Sequence, residues 1–309
     1  MILCVCPNPS IDKFIHIDDF GMGKVNRIDN EFSYPGGKGV HVALGIRELG
    51  EEVALLAFWG GPTGQWIKQE CESRGIACHG PEVSDWTRTC ITIKSKNDLD
   101  ETEFLGIGPK IGASEYTAFL ETYEKLLKES DLVSMCGSWP KNSVGANYSP
   151  FIERASRLHI KSFIDCSGKV LGDALGKYPY AVHINHHEGH DLYHSNDPEV
   201  LSVKLSESCA LAAITYGEKG LYLFDGHEMI HALCKVENVI CSVGSGDSLM
   251  AGMIVAKKRR YNLHETARLA AACGAANCIR EELGMFYKID VELLVERCEL
   301  NVKQLNKKR

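Results

Sequence analysis

The sequence predicts an α/β fold in which a mainly parallel β-sheet is covered by helices on both faces and carries a small antiparallel β lid. Three observations carry that expectation. Apolar runs of strand length alternate with stretches whose apolar residues recur at helical spacing, as in βαβ units. Many of the runs are apolar throughout, as strands buried on both faces are. Polar or glycine-rich segments follow several of them, at the strand ends where an open parallel sheet binds its ligands.

The elements follow in chain order. Residues 2–6 form the first apolar run, and 11–34 continue at near period two through a glycine-containing turn, the mark of an antiparallel hairpin. A helix is expected over 38–49, where Val42, Ala43, Ile46 and Leu49 share a face and Gly50 closes it. Strand 53–58 and helix 64–74 come next, then a second hairpin over 87–107 around Lys96, Asn97 and Asp98. Helix 114–128, strand 132–136, helix 144–158 and strands 162–165 and 181–184 follow. Helix 198–206, strands 211–215 and 221–224, and an apolar strand-like run over 236–243 lead to a helix starting near Gly246, with Leu249, Met250, Met253 and Ile254 on one face. No repeat or linker divides the chain, so one domain is expected over 1–309, with lid segments at about 11–34 and 87–107. The basic tail from Lys303 is expected to be a solvated end.

Composition narrows the function classes. With 309 residues, 44% of them hydrophobic, the chain can bury a sizeable core. A formal charge of −7 disfavours nucleic acid or an anionic membrane as the general partner, which leaves a small molecule. Thirteen cysteines, scattered and without a C-x-x-C pair, fit buried thiols in a reducing cytoplasm better than disulfides or zinc. The N-terminal apolar run is too short for a signal peptide, and no run approaches a membrane span.

The chemistry concentrates in Val243-Gly244-Ser245-Gly246-Asp247-Ser248, where two glycines and a carboxylate open a helix. Unpaired amides and the positive helix end favour an anion there, such as a nucleotide phosphate. Asp247 has two readings: a helix cap, or a base that takes the proton of an attacking alcohol. The dinucleotide fingerprint lacks its third glycine, replaced by Leu249, and no Walker motif occurs. A second glycine cluster, Pro35-Gly36-Gly37-Lys38-Gly39-Val40, is either another anion site or a tight turn. Asp12, Arg27, Lys38 and Arg88 fall in or beside the lid segments, and arginine suits a phosphate. His183, His186, His187 and His190 recur at helical spacing, which suits either hydrogen-bonded histidines at a strand end or a transition metal. Neither H-E-x-x-H nor H-x-x-E-H is present.

Pro35-Gly-Gly-Lys-Gly-Val40 together with Val243-Gly-Ser-Gly-Asp-Ser-Leu-Met-Ala-Gly252 resembles the two signatures of the PfkB family of ribokinase-like carbohydrate kinases. The resemblance spans nearly the whole chain, through Asn8-Pro-Ser-Ile-Asp12, Thr87-Arg88, Thr102-Glu103, Asp165-Cys-Ser-Gly168, Asn185-His-His-Glu188 and Thr215-Tyr-Gly217. It points to the tagatose-6-phosphate kinase and 1-phosphofructokinase branch, and Leu105 with the Val-Gly-Ser-Gly-Asp form inclines toward the tagatose-6-phosphate side. It implies a three-layer α/β/α sandwich whose β lid pairs with that of a second subunit in a homodimer. It implies transfer of the γ-phosphoryl of ATP, with Mg²⁺, to a hydroxyl of a ketohexose monophosphate, either tagatose 6-phosphate or fructose 1-phosphate.

The resemblance also assigns roles. Asp247 would be the base and Gly244, Ser245 and Gly246 the anion hole. Asp12, Gly37, Lys38, His41, Arg88 and Ser138 would hold the sugar phosphate, with Arg27 reaching in from the partner subunit. Asn185 and Glu188 would act on Mg²⁺ indirectly and on the nucleotide phosphates, and Thr215, Gly217, Gly220 and Asn277 would line the nucleotide site. Three residues depart from the family pattern. His41 replaces the usual Asn, His183 replaces a Lys near the nucleotide, and Trp139 adds bulk expected to lie near the sugar. Two other functions stay open: a kinase for an unphosphorylated sugar or nucleoside, against which the cations Lys38, Arg88 and Arg27 speak, and a binding protein with weak catalysis.

Overall fold

The computed structural model describes residues 1–95 and 101–305. Strands β1 (Ile2–Cys6), β2 (Ser10–Ile17) and β3 (Asn30–Gly36) precede helix α1 (Lys38–Glu48). Strands β4 (Val53–Ala57) and β5 (Trp59–Gly60), helix α2 (Gly61–Ser73) and strands β6 (Ala77–His79), β7 (Glu82–Val83), β8 (Arg88–Ser95) and β9 (Thr102–Phe104) come next. Helix α3 (Ala113–Leu127), β10 (Leu132–Cys136), α4 (Ser149–Arg157), β11 (Lys161–Asp165), α5 (Gly168–Leu175), β12 (Ala181–Asn185), α6 (His186–Tyr193) and α7 (Pro198–Leu205) continue the alternation. Strands β13 (Leu211–Thr215), β14 (Leu221–Phe224) and β15 (Glu228–Leu233), helices α8 (Ser245–Lys258), α9 (Leu263–Cys278) and α10 (Lys288–Arg297), and β16 (Glu299–Gln304) complete it.

Ten strands form one sheet in the order β16-β15-β14-β13-β12-β11-β10-β1-β4-β6, parallel from β13 to β6 and antiparallel from β13 to β16. Strands β1, β4 and β10 are buried at every residue, which is why they read as unbroken apolar runs. One core lies between the sheet and α1, α8 and α9, and the other between its opposite face and α3, α4 and α7. This is the expected three-layer sandwich. The lid is a second sheet, β3-β2-β8-β9, in which two antiparallel hairpins are joined by parallel pairing of β2 with β8. The turn expected around Lys96, Asn97 and Asp98 lies outside the described residues.

Three expectations need correction, and a fourth gains detail. Residues 236–243 are not a strand, because both edges of β15 are taken by β14 and β16; the run lies along the cleft instead. Helix α4 begins at Ser149 rather than 144, since Gly145 has φ +66°, Val144 N–H bonds to Ile111 O and Pro150 sits in the first turn. Lys303 is solvated as expected, with its side chain 56% exposed, but it belongs to the edge strand β16 and pairs with Glu199 at 2.6 Å. Trp139, expected to add bulk near the ligand, does not line the cleft beside Ser138. It is buried in an aromatic cluster with Phe58, Phe119, Tyr148 and Phe151.

Close helix packing places α8. A Cβ on Gly252 would fall 2.9 Å from Ala270 Cα and 3.0 Å from Cys273 Sγ, so this glycine lets α8 meet α9 almost backbone to backbone. Gly252→Val is expected to destabilise the protein by about 1–3 kcal/mol, the usual range for overpacking, seen as a lower urea midpoint with an unchanged slope. An unaltered midpoint would contradict the close approach.

Candidate active site

The carboxyl ends of β1, β10, β11, β12 and β13 open on one cleft of about 2210 Å³, roofed by Cys90, Thr92 and Glu103 of the lid. Helices α1 and α8 both begin at it, with Gly37 (φ +93°) and Gly244 (φ +84°) as their N-caps. At Gly244 a Cβ would fall 2.3 Å from Gly284 Cα, so only glycine allows the turn that starts α8. Ser245 N–H already donates to Ser242 O (3.1 Å), leaving the following amides of α8 as the unpaired donors of its first turn.

The glycine cluster before α1 is a tight turn whose amide serves a carboxylate. Gly37 N–H points to Asp12 Oδ2 at 3.4 Å, and Ser10 O–H donates to Asp12 Oδ1 at 2.6 Å. A Cβ on Gly36 would collide with that carboxylate at 2.1 Å. Burial pushes the Asp12 carboxyl up, but His41, Ser10 and Arg88 outweigh it and hold it below the ordinary carboxylate value.

His41 lies between two carboxylates. Its Nδ1 is 2.9 Å from Asp247 Oδ2 and its Nε2 is 3.2 Å from Asp12 Oδ2. Burial works against charge on the ring, yet the two carboxylates push its pKa up to about 10. Burial also raises the Asp247 carboxyl above its ordinary value, against the pull of His41 and Lys38.

One turn earlier, Lys38 forms an ion pair with Asp165, a fully buried residue at the end of β11, and lies 4.0 Å from Glu188 Oε1. His183 completes this group, with Nδ1 2.7 Å from Asp165 Oδ2 and Nε2 3.0 Å from Thr215 Oγ1. Burial opposes ionisation of Asp165, but Lys38 and His183 hold its carboxyl far below the ordinary value.

Asn185 and Glu188 form a capping box on α6: Glu188 N–H donates to Asn185 Oδ1 and Asn185 N–H to Glu188 Oε2, both at 2.9 Å. Asn185 Nδ2 and Glu188 Oε1 take no part in the box. Ser138 accepts from Asn8 Nδ2 at 3.3 Å, and Arg88 donates to Asn8 O and Gly106 O at 3.1 and 3.3 Å. Thr215, Gly217 and Gly220 line the far lip, where His186 stacks on Tyr216 with ring centroids 4.3 Å apart.

The cleft therefore gathers Asp12, Gly37, Lys38, His41, Arg88, Ser138, Asn185, Glu188, Thr215, Gly217, Gly220 and residues 244–247. Two expected site residues are not brought there. Arg27 is exposed on the β2–β3 connection, and Asn277 is buried beneath the cleft, donating to Met285 O at 3.0 Å. Sequence reasoning did not number Asp165 or His183 among the site residues. The signal for both was a polar side chain at the end of an apolar strand.

Replacing Asp165 by Asn is expected to cost about 1–3 kcal/mol at neutral pH, a range discounted because the Lys38 side chain is 37% exposed. The lowered pKa sets the sign: the pairing stabilises fully above the unfolded value of 3.8 and is lost as pH falls through the lower folded value. The gap between wild type and variant in urea melts should stay constant from pH 5 to 8 and close only in stronger acid.

The chain is similar to known carbohydrate kinases. The pfkB family carbohydrate kinases match residues 8–285. The 1-phosphofructokinase of Bacillus subtilis (strain 168) is 32% identical over 290 residues, covering 92% of this chain and 94% of that protein. Among solved structures, a possible 1-phosphofructokinase from Thermotoga maritima superposes with a TM-score of 0.85 at 24% identity, covering 99% of this chain and 100% of its own. Phosphofructokinase-2 from Escherichia coli in complex with fructose-6-phosphate does so with 0.85 at 19% identity, covering 96% and 98%. The last two share the fold. The family match and the 32% relative go further: the chain belongs to the pfkB family of carbohydrate kinases, phosphotransferases with an alcohol group as acceptor.

Proposed function

We propose that this chain transfers the γ-phosphoryl group of ATP to a hydroxyl of a ketohexose monophosphate, with fructose 1-phosphate the foremost acceptor and tagatose 6-phosphate the next. The observation that carries the reading is the convergence of two helix N-termini, Lys38 and Asp247 on one cleft. Helix starts and a lysine attract phosphoryl oxygens, and a buried carboxylate beside them suits the proton of an attacking hydroxyl. The B. subtilis relative supports fructose 1-phosphate over tagatose 6-phosphate.

In this reading Asp247 is the base. The amides of Gly244 and Gly246 at the start of α8 stabilise charge on the transferring phosphoryl group, while Ser245, whose N–H is held by Ser242 O, shapes the turn between them. Asp12 holds a sugar hydroxyl, and Lys38, Arg88 and Ser138 attract the sugar phosphate, with Gly37 allowing close approach. Thr215, Gly217 and Gly220 line the nucleotide side. The donor set also fits Mg²⁺, since Glu188 Oε1 is uncommitted to the capping box and Mg²⁺ takes few protein oxygens beside water and phosphate. When bound, Mg²⁺ would neutralise charge on the nucleotide phosphates.

The whole chain is read as one catalytic unit whose four-stranded sheet is the lid. Its exposed apolar residues Phe32, Phe104, Leu105 and Ile107 support pairing with a second lid, which would bring the exposed Arg27 to the partner's site. Thiols on all thirteen cysteines support a reducing cytoplasm.

Asp247→Asn is expected to lower kcat by about 10²–10⁴ while leaving ATP and sugar-phosphate binding intact, measured by coupled ADP release and calorimetry. A variant that retains turnover would remove Asp247 from the chemistry. In the same assay, a panel of fructose 1-phosphate, tagatose 6-phosphate, fructose 6-phosphate, fructose, ribose and nucleosides names the acceptor, and chelation of Mg²⁺ should abolish turnover. Phe104→Asp should shift the mass in light scattering from dimer to monomer; an unchanged mass would rule out the lid interface.

A further inference from the structure

We propose that His41 is a positioning residue for phosphoryl transfer: as an imidazolium it ties the base Asp247 to Asp12, fixing the Asp247 carboxylate and keeping it ionised. This rests on the reading of Asp247 as base.

The geometry suits a doubly protonated ring set between two ionised carboxylates. Asp247 Oδ2 lies 2.9 Å from Nδ1, and Asp12 Oδ2 lies 3.2 Å from Nε2. Ionised carboxylates only accept, whereas a neutral imidazole carries one N–H. A neutral ring would turn a lone pair toward one of the two carboxylates inside a nearly closed pocket, where the His41 side chain is 4% exposed. The charge on Asp12 has its own supports in Ser10 O–H and Gly37 N–H. The Nε2 contact is not aligned as a hydrogen bond, so its attraction is that of charge, which a neutral ring would lack.

The chain also makes room for the ring. Gly284 has φ +67°, and a Cβ there would fall 2.1 Å from His41 Cγ and 2.4 Å from Nδ1. At Gly244, the N-cap of the helix that carries Asp247, a Cβ would stand 3.6 Å from Nδ1. The imidazole thus fills a slot that a side chain at 284 would close.

The other charges around this group come from several elements. Lys38 of α1 and Asp165 of β11 act on Asp247, Glu103 of β9 faces both Asp247 and Asp12, and Arg88 of β8 acts on Asp12. Lys38 is engaged by Asp165, so His41 is the cation in direct contact with the base. An Asn, usual at this position in the kinases this chain resembles, could hydrogen-bond but would bring no charge.

The first test reads the protonation state of the wild-type site directly. In apo protein labelled with ¹⁵N-histidine, both ring nitrogens of His41 should stay protonated beyond pH 8, whereas an ordinary histidine loses its proton near 6.5. The resonance is identified by its loss in His41→Asn. If that variant does not fold, Asp12→Asn should identify it by lowering the pH at which it titrates. Titration of His41 with the ordinary histidines overturns the proposal.

The second test compares kcat/KM against pH for wild type and His41→Asn with ATP, Mg²⁺ and fructose 1-phosphate, whose own ionisation is common to both. The acid limb should move to higher pH in the variant, with a loss on the order of tenfold at pH 6 that largely disappears by pH 9. A loss by the same factor at every pH marks a merely structural role and overturns the proposal. Asp247→Asn separates the two readings: its retained turnover removes the base itself, whereas its inactivity beside an unmoved acid limb removes only the role of His41.

Discussion

The site depends on burying carboxylates that water would otherwise solvate. Asp12, Asp165 and Asp247 come from β2, β11 and α8, and each is nearly or fully inaccessible. An isolated buried carboxylate is expensive, so each must find a cation or dipoles. The first turn of α1 supplies most of that need. Lys38 and His41, three residues apart and hence on neighbouring helical positions, engage Asp165 on one side and Asp247 and Asp12 on the other. One helical turn therefore connects the lid, the central sheet and the helix that carries Asp247.

That turn reaches its place through glycines. Gly39 lies so close to β1 that a Cβ would meet Cys6 Cβ at 2.5 Å, and Gly36 leaves the space filled by the Asp12 carboxylate. The same logic recurs at Gly252 between α8 and α9 and at Gly284 beside His41. Each removes a side chain where two elements must approach more closely than a methyl group allows, which converts backbone packing into the spacing between charged groups.

Much of this was legible in the sequence because its physical cause is local. Strands buried on both faces, such as β1 and β10, read as unbroken apolar runs, and glycines before helical patterns announced both N-termini at the cleft. Distance along the chain concealed the rest. His41 and Asp247 are 206 residues apart and Lys38 and Asp165 are 127 apart, so no periodicity connects them. The run 236–243 has strand composition, but β15 has no free edge to receive it. Trp139 is adjacent in sequence to Ser138 of the cleft yet turns into the aromatic core, a choice set by which face is apolar.

The same pairs that stabilise the ligand-free cleft must compete with its ligands. A phosphoryl group arriving at Lys38 offers the ammonium a second anion beside Asp165, and any weakening of that pair leaves Asp165 drawing more on His183. His183 Nε2 also contacts Thr215 at the far lip, so a disturbance at Lys38 has a continuous polar path to the far side of the cleft. His41 lies outside that path, buried between its two carboxylates. The arrangement thus separates two cations: Lys38, with its side chain 37% exposed, faces the cleft, and His41 is enclosed between the Asp12 and Asp247 carboxylates.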